Sequence, residues 1–386
     1  MRVTIYQLGL LLALAPPLGA AGIVQTADAR LEGDLAWADG CVAVSGKAVP
    51  WDAVVYVLPL GQAAAPAGAG AVRWADGEVW RADIARLSGG KLSVRSALLG
   101  TQEIEARQVA AVEFVPGAAA PGGAAAGALY RDKGEPIPGT LLWIDETRLA
   151  IDSPLGVLTL PREGALGYVF PAGPKPAVGP RVAQVTGPDE VGLADGSILR
   201  GTLRPTAKGL DLRHAVLGTV SIDAGQVRFI TRYGGRATDL TRLAPASVTA
   251  VGLLGKIPAE AAVTYRWAGD AGWAGGRALA VMTLQPKTVV EFKLPQTGAG
   301  AQVTWATLRL VARIAPADGA RGDVHVRIAA GGTVVFEEDL APGAKPMPVA
   351  ADLPQAARLT IEVDFGRRLG FPCGACIEDP LLISRG

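Results

Sequence analysis

The sequence contains no asparagine, three cysteines, two histidines and a net charge of only +1. Each shortage excludes something. Without Asn there is no N-glycosylation sequon, and tight turns must be built from Asp-Gly and Gly-Gly. A structural zinc site takes about four Cys or His ligands, more than any one stretch here supplies. A near-neutral chain has no basic footprint for nucleic acid. Beyond the first twenty residues no apolar run reaches the ~20 residues of a membrane-spanning helix. No GxSxG, Walker or Rossmann glycine pattern occurs, and nothing supports an acyl-transfer triad.

What is present begins with the opening stretch "MRVTIYQLGLLLALAPPLGAAG". Arg2 supplies a positive start, and an apolar run follows from Ile5 to Leu18, ended by Pro16 and Pro17. Small residues at Gly19 and Ala21 suit signal peptidase, and Ala27 to Ala29 is a second candidate. Residues 1–21 are therefore expected to be a cleaved export signal, the alternative being a retained anchor. The mature chain of roughly 360 residues is long enough for two or three domains and is expected outside the cytoplasm, in the periplasm, the envelope or the medium.

Fifty Gly and 28 Pro point to turn-rich β-structure. Three Ala/Gly/Pro stretches (61–71, 116–128 and 171–180) read as connectors. Between them runs a weak repeat. Residues 75–114 and 194–230 both open Ala-Asp-Gly and reach Leu-Gly at Leu99-Gly100 and Leu217-Gly218. Both then place Ile104 or Ile222 five residues beyond that Leu, and end on Gln108-Val109 or Gln226-Val227. Residues 139–170 keep Leu155-Gly156 and Leu160, and 29–58 is a degenerate first copy. "KLSVRSALLG" and "RLAIDSPLG" alternate apolar and polar residues as half-buried strands do. The expected units span 29–115 (units one and two), 129–171 and 180–235. Each is a small antiparallel meander or SH3-like barrel, too small to bury a core alone.

From about residue 250 to 386 the pattern changes to eight or nine strand candidates, among them "AAVTYRW", "ALAVMTL" and "DVHVRIAA". They are separated by Gly-Gly, Asp318-Gly319 and Pro342-Gly343. This argues for a β-sandwich of jelly-roll type. The fold class is all-β throughout.

The order "TVVEFKL" (288–294), "ATLRLVARIAPADGARGDVHVRIAAGGTVVFEED" (306–339), "ARLTIEVDF" (357–365) and "EDPLLI" (378–383) resembles the NPCBM family, carbohydrate-binding modules found beside glycoside hydrolases. The resemblance covers about 120 residues and implies a galactose-binding-like jelly roll with a polysaccharide or glycan as partner. Related jelly rolls often hold a structural calcium ion, although no dense acidic loop marks a site here. The sequence departs from the family at Met282-Thr283, where a His-Ser pair is usual, and at Cys373 and Ile377, near the places of an Asp and a Trp. Asp379-Pro380 is kept.

Candidate ligand residues fall in two loops. "YRWAGDAGWAGGR" offers Asp270, Trp273 and Arg277, and "DFGRRLGFPCGAC" offers Arg367, Arg368 and Phe371. Trp267 and Trp305 read as core. Glu337 to Asp339 read as a solvated strand end rather than a catalytic cluster. Cys373 and Cys376 have no metal partners, and Pro380 breaks the helix that a redox dithiol would need. In an exported chain the expected state of the pair is a loop disulfide, the alternative being free thiols. By the resemblance, that disulfide would fix the loop entering the last strand. Cys41 is expected to be buried in the first unit. The expected function is an exported, non-catalytic glycan-binding protein whose module rides on β-repeats. The alternative is a structural or protein-interaction protein of the envelope.

Overall fold

The computed structural model describes residues 20–61, 70–74, 77–115, 126–171, 188–232, 237–252, 255–268, 277–294, 308–367 and 371–384. Within them the chain is nearly all strand, with short 3-10 turns and one four-residue helix, Ala259–Ala262.

Four five- or six-stranded units make up the N-terminal part. In each, the first strand pairs with the last. Ala21–Thr26 joins Val54–Pro59, and Ala71–Trp74 joins Val109–Glu113. Ala128–Arg131 joins Ala165–Val169, and Asp189–Leu193 joins Val227–Thr231. A hairpin lies between, and a 3-10 turn precedes the last strand in units one, two and four. The units then pair through those last strands: Ile230 faces Val57, linking units four and one, and Val112 faces Tyr168, linking two and three. One apolar core runs through all four. The core is shared, and strand pairing links unit one to four and unit two to three and four.

The repeat has a physical signature. The Gly of each Leu-Gly pair sits at positive φ, with Gly100 at 68°, Gly156 at 101° and Gly218 at 73°, where a side chain would be strained. A side-chain acceptor before each turn takes its free backbone N–H groups. Ser96 Oγ accepts from Leu98 and Leu99, Ser153 Oγ from Leu155, and His214 Nδ1 from Val216 and Leu217. Cys41 opens a hairpin strand directly after the Asp39-Gly40 turn. It is half-buried there rather than enclosed, because the turn leaves one side to solvent.

The C-terminal part is a two-sheet antiparallel sandwich. The first sheet runs Val263–Trp267, Ala280–Leu284, Ala375–Ser384, Leu308–Pro316, Met347–Leu353, with Ala237–Asp239 added to Ala375–Ser384. The second runs Gly255–Lys256, Ser247–Gly252, Thr288–Lys293, Arg358–Phe365, Val324–Ala330, Thr333–Leu340. Alternation builds the core: Leu308, Leu310, Ala312 and Ile314 point inward and meet Val326, Ile328 and Ile361 of the other sheet.

Part of the first sheet's outer face is also buried. Leu279, Leu381 and Ile383 pack with Ile23, Tyr56, Leu58, Ile198 and Phe229 of units one and four. The rest of that face stays open.

Candidate ligand-binding cleft

The open part of the first sheet is organised by register. Arg266 lies opposite Val281, Val281 opposite Glu378, Glu378 opposite Arg313, and Arg313 opposite Pro348. One row of side chains therefore crosses five strands. The neighbouring row holds Thr264, Thr283, Cys376 and Ala315. These are outward positions of strands whose alternate residues fill the core.

A cleft of about 630 Å³ lies over these rows, walled by the turns at 317–320 and 343–346. Its polar groups are Arg266, Arg277, Thr283, Asp318 and Glu378, set against Val281, Ala315 and Pro316. Glu378 is ion-paired with Arg313 at 3.0 Å. Burial raises its carboxyl above the usual range, and the Arg313 charge opposes that rise. A second cleft, of about 460 Å³, opens between unit one and the same sheet, where Asp28, Arg30, Glu32, Arg309 and Arg313 line it.

A β-bulge sits beside the row. Val311 faces Leu381 and Arg313 faces Glu378, so Asp379 and Pro380 together oppose Ala312. Pro380, with no N–H to donate, suits the unpaired place. Asp379 takes φ 49°, a left-handed conformation that Asp tolerates better than most residues. The bulge turns its carboxylate toward unit one. Oδ1 accepts from the backbone N–H of Leu279 (2.6 Å) and Ala280 (3.0 Å). Oδ2 accepts from Tyr56 Oη (2.8 Å) and Arg30 Nη1 (2.9 Å). The Asp-Pro motif is thus a joint between sandwich and repeats.

The expected ligand residues separate. Arg277 lines the first cleft, pairs with Glu32, and accepts from Arg30 on its backbone carbonyl. Arg367 belongs to the end of the second sheet, 3.2 Å from Asp339, so it does not join Arg277. Phe371 is 74% exposed. The segment after it braces the cleft wall, since Pro372 O accepts from Arg321 N–H (2.7 Å) and Gly374 O from Ala317 N–H (2.8 Å). Asp270, Trp273, Arg368 and Trp305 lie outside the described residues, as do residues 1–19 and most of the three connectors. Trp267 turns inward and donates to Thr241 Oγ1 at 2.8 Å. As ligand residues, Arg266, Thr283, Asp318 and Glu378 are not expected from the sequence; Thr283 stands out there only as a departure from the family pattern and Asp318 only as a turn residue. For the strand residues among them the only signal of binding was the polar half of an ordinary strand alternation.

The disulfide expectation is corrected. Cys373 and Cys376 are free thiols. Cys376 lies in the last strand, which begins at Ala375, and Cys373 lies before it. Cys376 Sγ instead lies 3.5 Å from Thr283 Oγ1 in the cleft floor. Burial raises the pKa of both thiols. Among the described residues no group of three or more His, Cys, Asp or Glu converges as a metal site.

No family model and no curated protein matches the chain; the NPCBM resemblance rests on its motifs alone. Several solved structures are similar to parts of the chain at low TM-score. The CBM51 module of Clostridium perfringens GH95 in complex with methyl-galactose is 11% identical over 38% of this chain and 99% of that one, with a TM-score of 0.29. The tandem CBM51 modules of the family 98 glycoside hydrolase from Streptococcus pneumoniae are 9% identical over 82% of this chain and 88% of theirs, also at 0.29. A Clostridium perfringens ZmpB structure with CBM51-2 and INT domains is 10% identical over 39% of this chain at a TM-score of 0.29, and the chain spans 32% of its length. These neighbours are carbohydrate-binding modules.

Proposed function

We propose that this chain is an exported, non-catalytic glycan-binding protein, and that the open part of the sandwich's first sheet is its binding face. The observation that carries the reading is the 630 Å³ cleft. Its volume is that of a small-molecule site, and a few convergent polar groups stand on apolar walls. Arg266 and Arg277 donate, Asp318 and Glu378 accept, and Thr283 does both, a set that matches vicinal hydroxyls.

Export rests on the charged, apolar and small-residue order of the first 21 residues. Cleavage near Ala21 fits the fold better than cleavage near Ala29. The strand Ala21–Thr26 carries the fully buried Ile23 and Val24 and pairs on both edges, and the later cut would delete it. The non-catalytic reading rests on Glu378, which is tied to Arg313 and so does not stand as a free acid or base.

Affinity electrophoresis of the mature chain in xylan, galactan, β-glucan and chitosan gels, backed by calorimetry, tests the reading. At least one polymer should retard the protein, and Arg266→Ala should weaken that binding about tenfold. Reducing-sugar assays on the same polymers should stay at background. No retardation by any polymer overturns glycan binding, and sugar release overturns the non-catalytic part.

A further inference from the structure

The two clefts meet at one ion pair: Glu378 lines the first, Arg313 lines the second, and the two are direct cross-strand partners. The row that contains them runs without a break from Arg266 to Pro348, four strand steps, or roughly 19 Å at the usual strand spacing. We propose that the two clefts are halves of one groove across the sheet, and that its ligand is an extended oligosaccharide chain bound along the row rather than a single terminal sugar. This rests on the glycan-binding reading above.

Three observations support a continuous groove. A single sugar ring is too short to touch both Arg266 and Pro348. The second cleft brings its own spare hydrogen-bonding capacity. Arg309 lines it and approaches Asp28 and Asp352 only at 3.7 and 3.9 Å. Finally, Arg277 of the first cleft and Glu32 of the second are joined across the boundary by an exposed ion pair, with side chains 62% and 39% exposed. Such pairs contribute little, so a chain of hydroxyls can replace it. The floor of the groove alternates Arg266, Glu378 and Arg313 along its length. That order suits a neutral polymer, whose hydroxyls both donate and accept, better than a uniformly anionic one.

The test compares oligosaccharides of two and six residues from the cello-, xylo-, galacto- and chito- series by calorimetry on the full mature chain. In the series that binds, the hexamer should bind at least tenfold more tightly than the dimer. Arg309→Ala should weaken the hexamer at least fivefold. Ala29→Trp acts from an exposed turn on the rim of the second cleft and should do the same by blocking space. Because this site is exposed, Ala29→Trp keeps the test informative if Arg309→Ala disturbs folding, and far-UV spectra of both variants check that. Equal affinity for dimer and hexamer, or hexamer binding unaffected by Ala29→Trp, overturns the single groove while leaving glycan binding at the first cleft intact. Failure of every series to bind overturns the underlying reading together with it.

Discussion

Tyr56, in the last strand of the first repeat unit, donates its hydroxyl to Asp379, in the last strand of the sandwich, at 2.8 Å. The two residues are 323 positions apart in sequence. Tyr56 is fully buried and Asp379 nearly so. Burial first, and the Asp379 charge second, push the Tyr56 phenol well above its ordinary pKa. Arg30 completes the joint from the second strand of unit one. Repeats and sandwich are therefore welded at a satisfied buried carboxylate.

Asp379→Ala should cost about 3–5 kcal/mol, because it strands Arg30 and two backbone donors. Tyr56→Phe removes the hydrogen bond to a charged acceptor and the hydroxyl that accepts from Arg30 Nη1, and should cost about 1.5–3 kcal/mol. Urea denaturation of both variants and of the double variant checks this. The double variant should cost less than the two single changes combined, since they share a partner.

Asp239 is almost fully buried, and its carboxyl is pushed from 3.8 to about 6, chiefly by desolvation, with Arg242 and Thr241 opposing. A carboxyl raised in the folded state favours folding when protonated. Its contribution is complete below the unfolded pKa and is lost as pH rises through 6, on the order of 3 kcal/mol across that window. Asp239→Asn keeps the oxygen that accepts from Thr241 N–H at 2.8 Å. The variant should show a flatter stability–pH curve between pH 4 and 7 than the parent, measured by urea midpoints. Parallel curves would contradict the assignment.

His214 does two jobs. Its Nδ1 accepts from Val216 and Leu217, so its proton sits on Nε2 and is donated to buried Glu78 at 2.9 Å. Trp80 stacks edge-on against the ring at 5.5 Å. His214→Ser preserves the kind of turn acceptor found at Ser96 and Ser153 but takes a donor from Glu78. It should cost about 2–3 kcal/mol, against about 1 kcal/mol for Ser153→Ala. Equal thermal shifts in the two variants would show that the Glu78 contact contributes nothing.

Cys373 and Cys376 should both be alkylated in a non-reduced digest of the purified protein. In the native state both should react slowly with a thiol reagent at pH 7, because burial holds them as neutral thiols. Denaturant should release the two at once. A 373–376 disulfide in the digest would refute the free-thiol geometry.

The sequence by itself determined the all-β class, the Leu-Gly repeat and the sandwich alternation. These depend on period-two burial and on glycine's access to positive φ, both local properties of the chain. Gly100, Gly156 and Gly218 could be found because the turn needs that residue and little else. Arg277 could be found as a charged residue in a glycine-rich loop. The row beneath the clefts could not be read in this way. Arg266, Glu378 and Arg313 are ordinary outward residues on three strands, and only register sets them in one row. Nor does any local pattern say which outward residues stay exposed. Val311 and Leu381 look as apolar as core residues because units one and four cover them, while Val281 faces the cleft. The disulfide expectation failed for a related reason. Two cysteines three apart are close in sequence, but whether they meet depends on whether the chain between them turns. Here strand pairing sets Cys376 between Thr283 and Ala315, while Cys373 lies before the strand.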